Sequence, residues 1–363
     1  MEGASQPKSM TFCSESRKEA TRPTPLLSPR HLLKLGAWNI RTLYEAGRAT
    51  QVAKEMKSYN ISVLGLSEVR WTQAGETRLA TGEYILHSGH MEENAHHTEG
   101  VALMLTPEAR RSLIGWEPIS PRIVTGLFTT NQPKINLSII QCYAPTNEAE
   151  EEAKEDFYNQ LKSVLDKQKD RDVTILMGDF NAKIGNDNTG NEDIMGKHGV
   201  GEKNDNGERF IEVCSLNQMV IGGSVFPHKK IHKTTWISPN HCTENQIDHM
   251  CINKKFRRSC EDVRVKRGAD VPTDHHLVVM KLKLRLKRYD NNRNNRKKYN
   301  VELLKNENVK MLFRMKLTNR YQILKDELEQ DETSNYINWE KTQEVFTKTC
   351  QEVLSKMKTN HKS

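Results

Sequence analysis

Asp179 and Asn181 stand two residues apart at the end of VTILMGDFN (Val173–Asn181), where apolar residues give way to Gly178. A short apolar run closed by glycine predicts a buried strand that delivers polar side chains at its mouth. A carboxylate and an amide on a rigid strand end suit the handling of a water molecule or a phosphate oxygen. Asp and Asn are also ordinary turn formers, so this stretch alone leaves both readings open. Other stretches repeat the pattern. Asn39, Glu68, Tyr143, Asp248, Asp274 and His275 are each read as ending an apolar strand. Carboxylates with amide oxygens make a hard, oxygen-rich environment that suits Mg²⁺ or Mn²⁺ rather than zinc. His275 lies beside Asp274, and Asp248 is available to orient its ring and fix the tautomer. A metal, a water handler, an oriented histidine and a phenol together point to phosphoester hydrolysis.

The elements that must carry these residues can be read in order. Strands are predicted at Leu32–Ile40, Ile61–Leu66, Glu83–His87, Val101–Leu105, Ile123–Thr129, Ile135–Cys142 and Val173–Asn181. Helical spacing of Ala49, Val52, Ala53 and Met56 places a helix between the first two, and an acidic helix runs from Asn147 to about Lys169. The Gly/Asn/Asp-rich stretch that follows fails the calcium-loop pattern, because Glu192 and His198 occupy the positions that need Gly and Glu. It is read as a loop. Asn204-Asp205-Asn206-Gly207 caps a helix over Glu208–Leu216, and further strands are predicted at Met219–Ile221, Thr234–Ile237, Gln246–Ile252, Asp262–Lys266 and His276–Leu286. Strand alternation turns His249 and Cys251 away from Asp248, and the Cys/His spacings do not match a zinc site. No internal repeat is evident. In an α/β sandwich, strand ends on one edge converge, and sites are built there.

Residues 1–30 lack hydrophobic periodicity and are read as a disordered tail; 31–286 form the main domain; 287–300 are a basic linker; and 301–363 are helical. The apolar stripe Leu303, Leu304, Val309, Leu312, Phe313 and Leu317 calls for a partner surface, so a protein partner is expected through these C-terminal helices. The net charge of +8 favours anionic partners, nucleic acid first. Lys281, Lys283, Arg285, Lys287 and Arg288 form a run that meets either solvent or phosphate. No apolar run is long enough to cross a membrane, and the N-terminus has no signal-peptide core. Seven scattered cysteines do not make a disulfide framework. An intracellular protein, nuclear or cytoplasmic, is expected.

WNIR (38–41), SE (67–68), YAP (143–145), GDFN (178–181), TTW (234–236), QIDH (246–249) and TDHH (273–276) resemble the ordered motifs of the endonuclease/exonuclease/phosphatase superfamily. The wording between them, LSEVRW, QCYAPT and NDNGERFIEVC, is similar to the apurinic-type endonuclease domain of RTE-clade LINE retrotransposons. The segment after Leu286 resembles the linker that precedes the reverse transcriptase in those elements. The resemblance implies a truncated or co-opted retrotransposon endonuclease. It implies an α/β fold, a four-layer sandwich of two mixed β-sheets flanked by helices, with a small helical C-terminal appendage. It implies a Mg²⁺-dependent enzyme (Mn²⁺ as the alternative) that nicks DNA and leaves a 3′-hydroxyl. Glu68, Asp274 and Asn39 would hold the metal, Asp179 would orient or deprotonate water, and Asn181 would bind the reacting phosphate. His275, held by Asp248, would stabilise phosphoryl charge or share proton transfer, with Tyr143 near the leaving oxygen. Arg70 would hold a DNA phosphate and Trp236 would wall an abasic-site pocket, although a tryptophan in a strand is more often core. His276 is read as structural. One departure is that Thr146 stands where many apurinic-type members have Asn, with Asn147 one place later.

Three readings compete with the nuclease. A binding module could keep the fold without using the site, and another phosphoesterase of the same superfamily could share it. Ala182–Gly185, AKIG, lacks the Arg expected of inositol phosphatases. The third is a pseudogene product, which no physical argument touches. A complete set from Asn39 to His275 favours the enzyme, because a binding module has no need of it.

Overall fold

Two apolar strands joined by an amphipathic helix recur twice, and the rest of the main unit is added around them. The computed structural model describes residues 25–92, 96–286, 299–328 and 335–354. In chain order the first half comprises β1 (Leu33–Asn39), α1 (Arg48–Ser58), β2 (Val63–Ser67), β3 (Ala74–Arg78), β4 (Tyr84–Ser88), β5 (Val101–Leu105), α2 (Pro107–Ser112), β6 (Leu113–Ser120), β7 (Ile123–Thr129) and β8 (Asn136–Tyr143). Then come α3 (Glu151–Asp166), β9 (Val173–Asp179), α4 (Asp205–Leu216), β10 (Met219–Ile221), β11 (Trp236–Ile237), β12 (Glu244–Asn245), β13 (Asp248–Asn253), β14 (Cys260–Lys266) and β15 (Leu277–Leu282). Helices α5 (Glu307–Leu328) and α6 (Asn335–Val353) follow.

The strands form a seven-stranded sheet in the order β14-β15-β1-β2-β5-β4-β3 and a six-stranded sheet in the order β10-β13-β9-β8-β7-β6, and β11 and β12 pair by themselves as a small third sheet. Each is antiparallel except for one parallel pair, β1 with β2 and β8 with β9. Those pairs need crossovers, and α1 and α3 supply them. The sequence shows no repeat, yet the topology contains the same β-α-β unit twice, built from different residues.

Three apolar cores separate four layers. Period-2 alternation sends Leu35, Met177 and Met280 into the space between the sheets. Leu176, Cys214 and Cys251 pack beneath α3 and α4, and Trp38, Met56 and Leu64 beneath α1. The predicted sandwich is therefore the observed one. Gly178 illustrates how tightly the second sheet is drawn: a side chain there would come within 2.0 Å of the Cys142 carbonyl, and its φ of 142° suits glycine.

Three differences have physical reasons. The edge strands β3 and β6 are absent from the prediction because neither buries a full face; β6 even carries Pro118. The tail was drawn to residue 30, but Leu26 N–H donates to the Thr129 carbonyl and Leu27 is fully buried against the inter-sheet core. Finally, β15 ends at Leu282, short of the predicted Leu286. Residues 1–24 and the linker positions 287–298 lie outside the described residues.

The chain divides into two units, Met1–Leu286 and Lys287–Ser363. In the second, α5 and α6 form a helical hairpin in which Phe313 meets Phe346 edge to face at 6.1 Å and Glu352 bonds Lys316 at 3.1 Å. Among the described residues, Leu324, Cys350 and Leu354 are its buried apolar side chains, with Thr349 buried beside them. Leu312, read as part of the packing stripe, is exposed.

Candidate active site

Each sheet's parallel pair ends at the same edge of the sandwich. Asn39 closes β1, Glu68 follows β2, Tyr143 closes β8 and Asp179 closes β9. Asp248, Asp274 and His275 were read as ending strands and do not: Asp248 begins β13, and Asp274 and His275 precede β15. They reach the same edge because β13 runs antiparallel to β9, and β15 to β1, so their starts lie beside the others' ends. Asp248 pairs directly with Asp179.

Between the sheet edges lies an open cleft of about 420 Å³ lined by Glu68, Arg70, Tyr143, Asp179, Asn181, Trp236, Asp274 and His275. Asn39 and Asp248 are buried beneath it as supports. The Asn39 amide Nδ2 donates to Glu68 Oε1 at 2.9 Å and to Asp179 Oδ2 at 2.9 Å, bridging carboxylates from opposite sheets. His275 Nδ1 lies 3.0 Å from Asp248 Oδ2, and its Nε2 lies 3.9 Å from Asp179 Oδ2. Trp236 Nε1 donates to Asp274 Oδ2 at 2.9 Å, so this tryptophan positions a carboxylate while lining the cleft. Arg70 Nη2 pairs with Glu68 Oε2 at 3.1 Å. Asn181 uses one amide N–H on the Ala144 carbonyl at 3.0 Å. His276 is absent from the cleft lining, and its backbone N–H donates to the Thr235 carbonyl.

The electrostatics follow from burial. Burial raises the Asp179 pKa, the Asp248 charge adds to this, and His275 and Asn39 only partly offset it; the result is about 7. For His275, burial favours the neutral ring, but the charge and hydrogen bond of Asp248, with Asp179 and Asp274 beyond, prevail and raise it to about 9. Burial and the charges of Glu68 and Asp179 keep the Tyr143 phenol protonated.

Two donor sets bear on a divalent ion. Glu68 and Asp274 offer carboxylate oxygens, whereas Asn39 turns its Nδ2 to Glu68 and Asp179 and its Oδ1 accepts from the Arg41 N–H at 3.0 Å. Asp274 Oδ1 is buried without a hydrogen-bond partner, with Arg41 Nε 4.0 Å away, an acceptor that a hard cation would complete. Asp179, Asp248 and His275 bring ligand atoms within 4.8 Å of one another, with His275 Nδ1 engaged by Asp248 and its Nε2 turned toward Asp179.

Several supporting residues carried no separate signal. Trp38 Nε1 donates to the His275 carbonyl at 3.1 Å. Thr273 Oγ1 donates to the Asn39 carbonyl at 2.9 Å and accepts from the His275 N–H at 3.2 Å. Thr235 Oγ1 accepts from the Ile247 and Asp248 N–H groups. Arg41 and Lys183 also line the cleft; both lie inside or beside the quoted motifs, which was the available hint. Asn204 was read only as a helix cap. It does cap α4, accepting from Gly207 N–H, and its Nδ2 also braces the Asn181 carbonyl at 3.0 Å. Arg41, Glu68, Arg70 and Asn181 all adopt positive φ, and all line the cleft. Backbone strain of this kind collects at functional sites. At the departed corner, Thr146 and Asn147 both reach the cleft.

Residues 36–275 match the Endonuclease/Exonuclease/phosphatase family. Craniofacial development protein 2 of Bos taurus is 34% identical over 253 residues, 70% of this chain and 41% of its own length. The protein of the same name from Tragulus javanicus is 33% identical over 253 residues, 70% of this chain and 42% of its own length. The chain thus spans about two-fifths of these relatives. Among solved structures, the endonuclease domain of TRAS1, a telomere-specific non-LTR retrotransposon, is similar at TM-score 0.50 and 14% identity, covering 70% of this chain and 99% of that one. The AP endonuclease LMAP from Leishmania major is similar at TM-score 0.53 and 10% identity, covering 71% and 90%. At such identities the likeness is one of fold.

Proposed function

The chain belongs to the endonuclease/exonuclease/phosphatase family, and from that premise we propose that it is a divalent-metal-dependent endonuclease that hydrolyses a DNA phosphodiester and leaves a 3′-hydroxyl. The observation that carries this reading is the run of contacts Glu68–Asn39–Asp179···His275–Asp248, buried from Asn39 onward and opening into one cleft, with Asp274 Oδ1 left without a hydrogen bond. A binding module gains nothing from burying a carboxylate, Asp179, whose proton affinity is raised.

Glu68, Asp274 and Asn39 would hold Mg²⁺, or Mn²⁺ in its place. Bound there, the ion would lower the cost of negative charge on the phosphoryl oxygens. Asp179 accepts the proton of the attacking water, since an acceptor near pKa 7 is matched to neutral pH. His275 carries its proton at neutral pH and is held by Asp248, so it acts on the phosphoryl group as a cationic donor. Tyr143 stays a phenol and donates toward the leaving oxygen. Asn181 orients the phosphate through its remaining amide N–H, Arg70 meets a neighbouring phosphate, and Trp236 lines the nucleotide's path. The motif order and the wording between motifs favour descent from a LINE-type retrotransposon.

The test is incubation of purified protein with supercoiled plasmid in Mg²⁺ or EDTA. Conversion to open circles in Mg²⁺ alone is expected, with ends that a DNA polymerase extends. No nicking by wild-type protein under any divalent ion would sink the proposal.

A further inference from the structure

The outer face of the seven-stranded sheet carries an excess of positive charge away from the cleft. Direct cross-strand partners share a face. Asp262 pairs with Lys281, Arg264 with Val279 and Lys266 with Leu277, while Lys34 on β1 pairs with Lys281 from the other side. Leu277 and Val279 belong to the core beneath α1, which identifies the face. Four cations therefore stand around one carboxylate. Asp262 bonds Arg264 at 2.6 Å and His228 at 2.7 Å, leaving Lys281 at 3.8 Å. Lys34 Nζ donates to the Tyr59 carbonyl at 3.0 Å, and among the described residues neither Lys34 nor Lys266 forms an ion pair. Burial and then the nearby charges of Arg264 and Lys281, with Lys34 beyond, lower the Lys266 pKa. Arg264 and Lys281 remain about one-third exposed.

The placement gives the patch a direction. Lys266 lies opposite Leu277, two residues past His275, and Lys281 lies six past it, which at about 3.4 Å per residue is roughly 20 Å from the reacting end. Duplex DNA offers one negative charge per ~1.7 Å of axis, so a substrate leaving the cleft along this flank meets several phosphates there. We infer that Lys34, Arg264, Lys266 and Lys281 form a basic track that binds the phosphate backbone of DNA flanking the scissile bond. This rests on the nuclease reading. The alternative is that these lysines only keep the edge strand β14 solvated and unpaired.

The experiment measures binding of the full chain, in EDTA, to a duplex of roughly 40 base pairs as salt is raised. The Lys34→Gln/Lys266→Gln/Lys281→Gln triple variant should bind with a log K against log salt slope shallower by about 2–3 than wild type. The corresponding Lys→Arg triple should keep the wild-type slope. An unchanged slope in the Gln triple overturns the track in favour of solvated edge lysines. An equal loss in the Arg triple overturns it in favour of structural damage. If wild-type protein fails to nick while the slopes behave as expected, the nuclease reading falls and the basic track stands.

Discussion

Asp179 occupies a place where a carboxylate is costly, and that cost is the source of its usefulness. Burial beside Asp248 raises its pKa to about 7, so at neutral pH it can take up a proton that an exposed aspartate could not hold. Asp179→Asn should lower nicking by roughly two to four orders of magnitude, and added Mg²⁺ should not restore it. Glu68→Gln should lower it mainly through weaker metal binding, so that excess Mg²⁺ restores part of the rate; the two titrations distinguish the roles. Asp179 and His275 set a pH dependence of stability in metal-free protein. His275 has a folded-state pKa of about 9 against an ordinary 6.5, so its contribution is complete below 6.5 and lost as pH rises through about 9. Asp179, also raised, acts in the same sense over a lower window: its contribution is complete below its ordinary 3.8 and lost as pH rises through about 7. Urea melts in EDTA should show stability falling from about pH 6.5 to 9, and His275→Gln should flatten the alkaline part. At about pH 8, Asp179→Asn should be more stable than wild type while inactive.

At the scale of elements, the site depends on strands meeting at one edge, and two short features hold them there. Gly178 lets β9 pass beside β8 at Cys142, so Gly178→Ala should prevent normal folding, read as loss of the cooperative melt. Leu27, outside every strand, fills the inter-sheet core near β7. Leu27→Ala should cost about 2–5 kcal/mol in urea unfolding, whereas a solvated tail residue would cost almost nothing. A wild-type melt for Leu27→Ala would return the tail boundary to residue 30.

At the scale of the whole molecule, residues 25–286 contain both sheets, the three cores and every cleft residue. A fragment of these residues should therefore melt with the midpoint of the corresponding transition in the full chain and nick plasmid at a similar rate. A fragment that aggregates or loses the transition would make the C-terminal unit part of the fold. Among the described residues no helix is long and apolar enough to cross a membrane.

Strand interiors and site residue types were legible in the sequence because burying an apolar strand on both faces leaves a continuous run, and a polar residue at its boundary stands out. Asn39, Glu68, Tyr143 and Asp179 were readable in this way, as was the helix spacing of Val52, Ala53 and Met56. The route by which Asp248 and His275 join this edge was not legible from the residues alone. Asp248 and His275 sit at strand starts, and only antiparallel pairing against β9 and β1 turns those starts into neighbours of the other strands' ends. Nor does periodicity reveal β3 and β6, whose edge positions relax the need for a buried face. The proton affinities of Asp179 and His275 were decided by the tertiary structure alone, because desolvation and the distance between charges exist only once strands remote in the chain close around them.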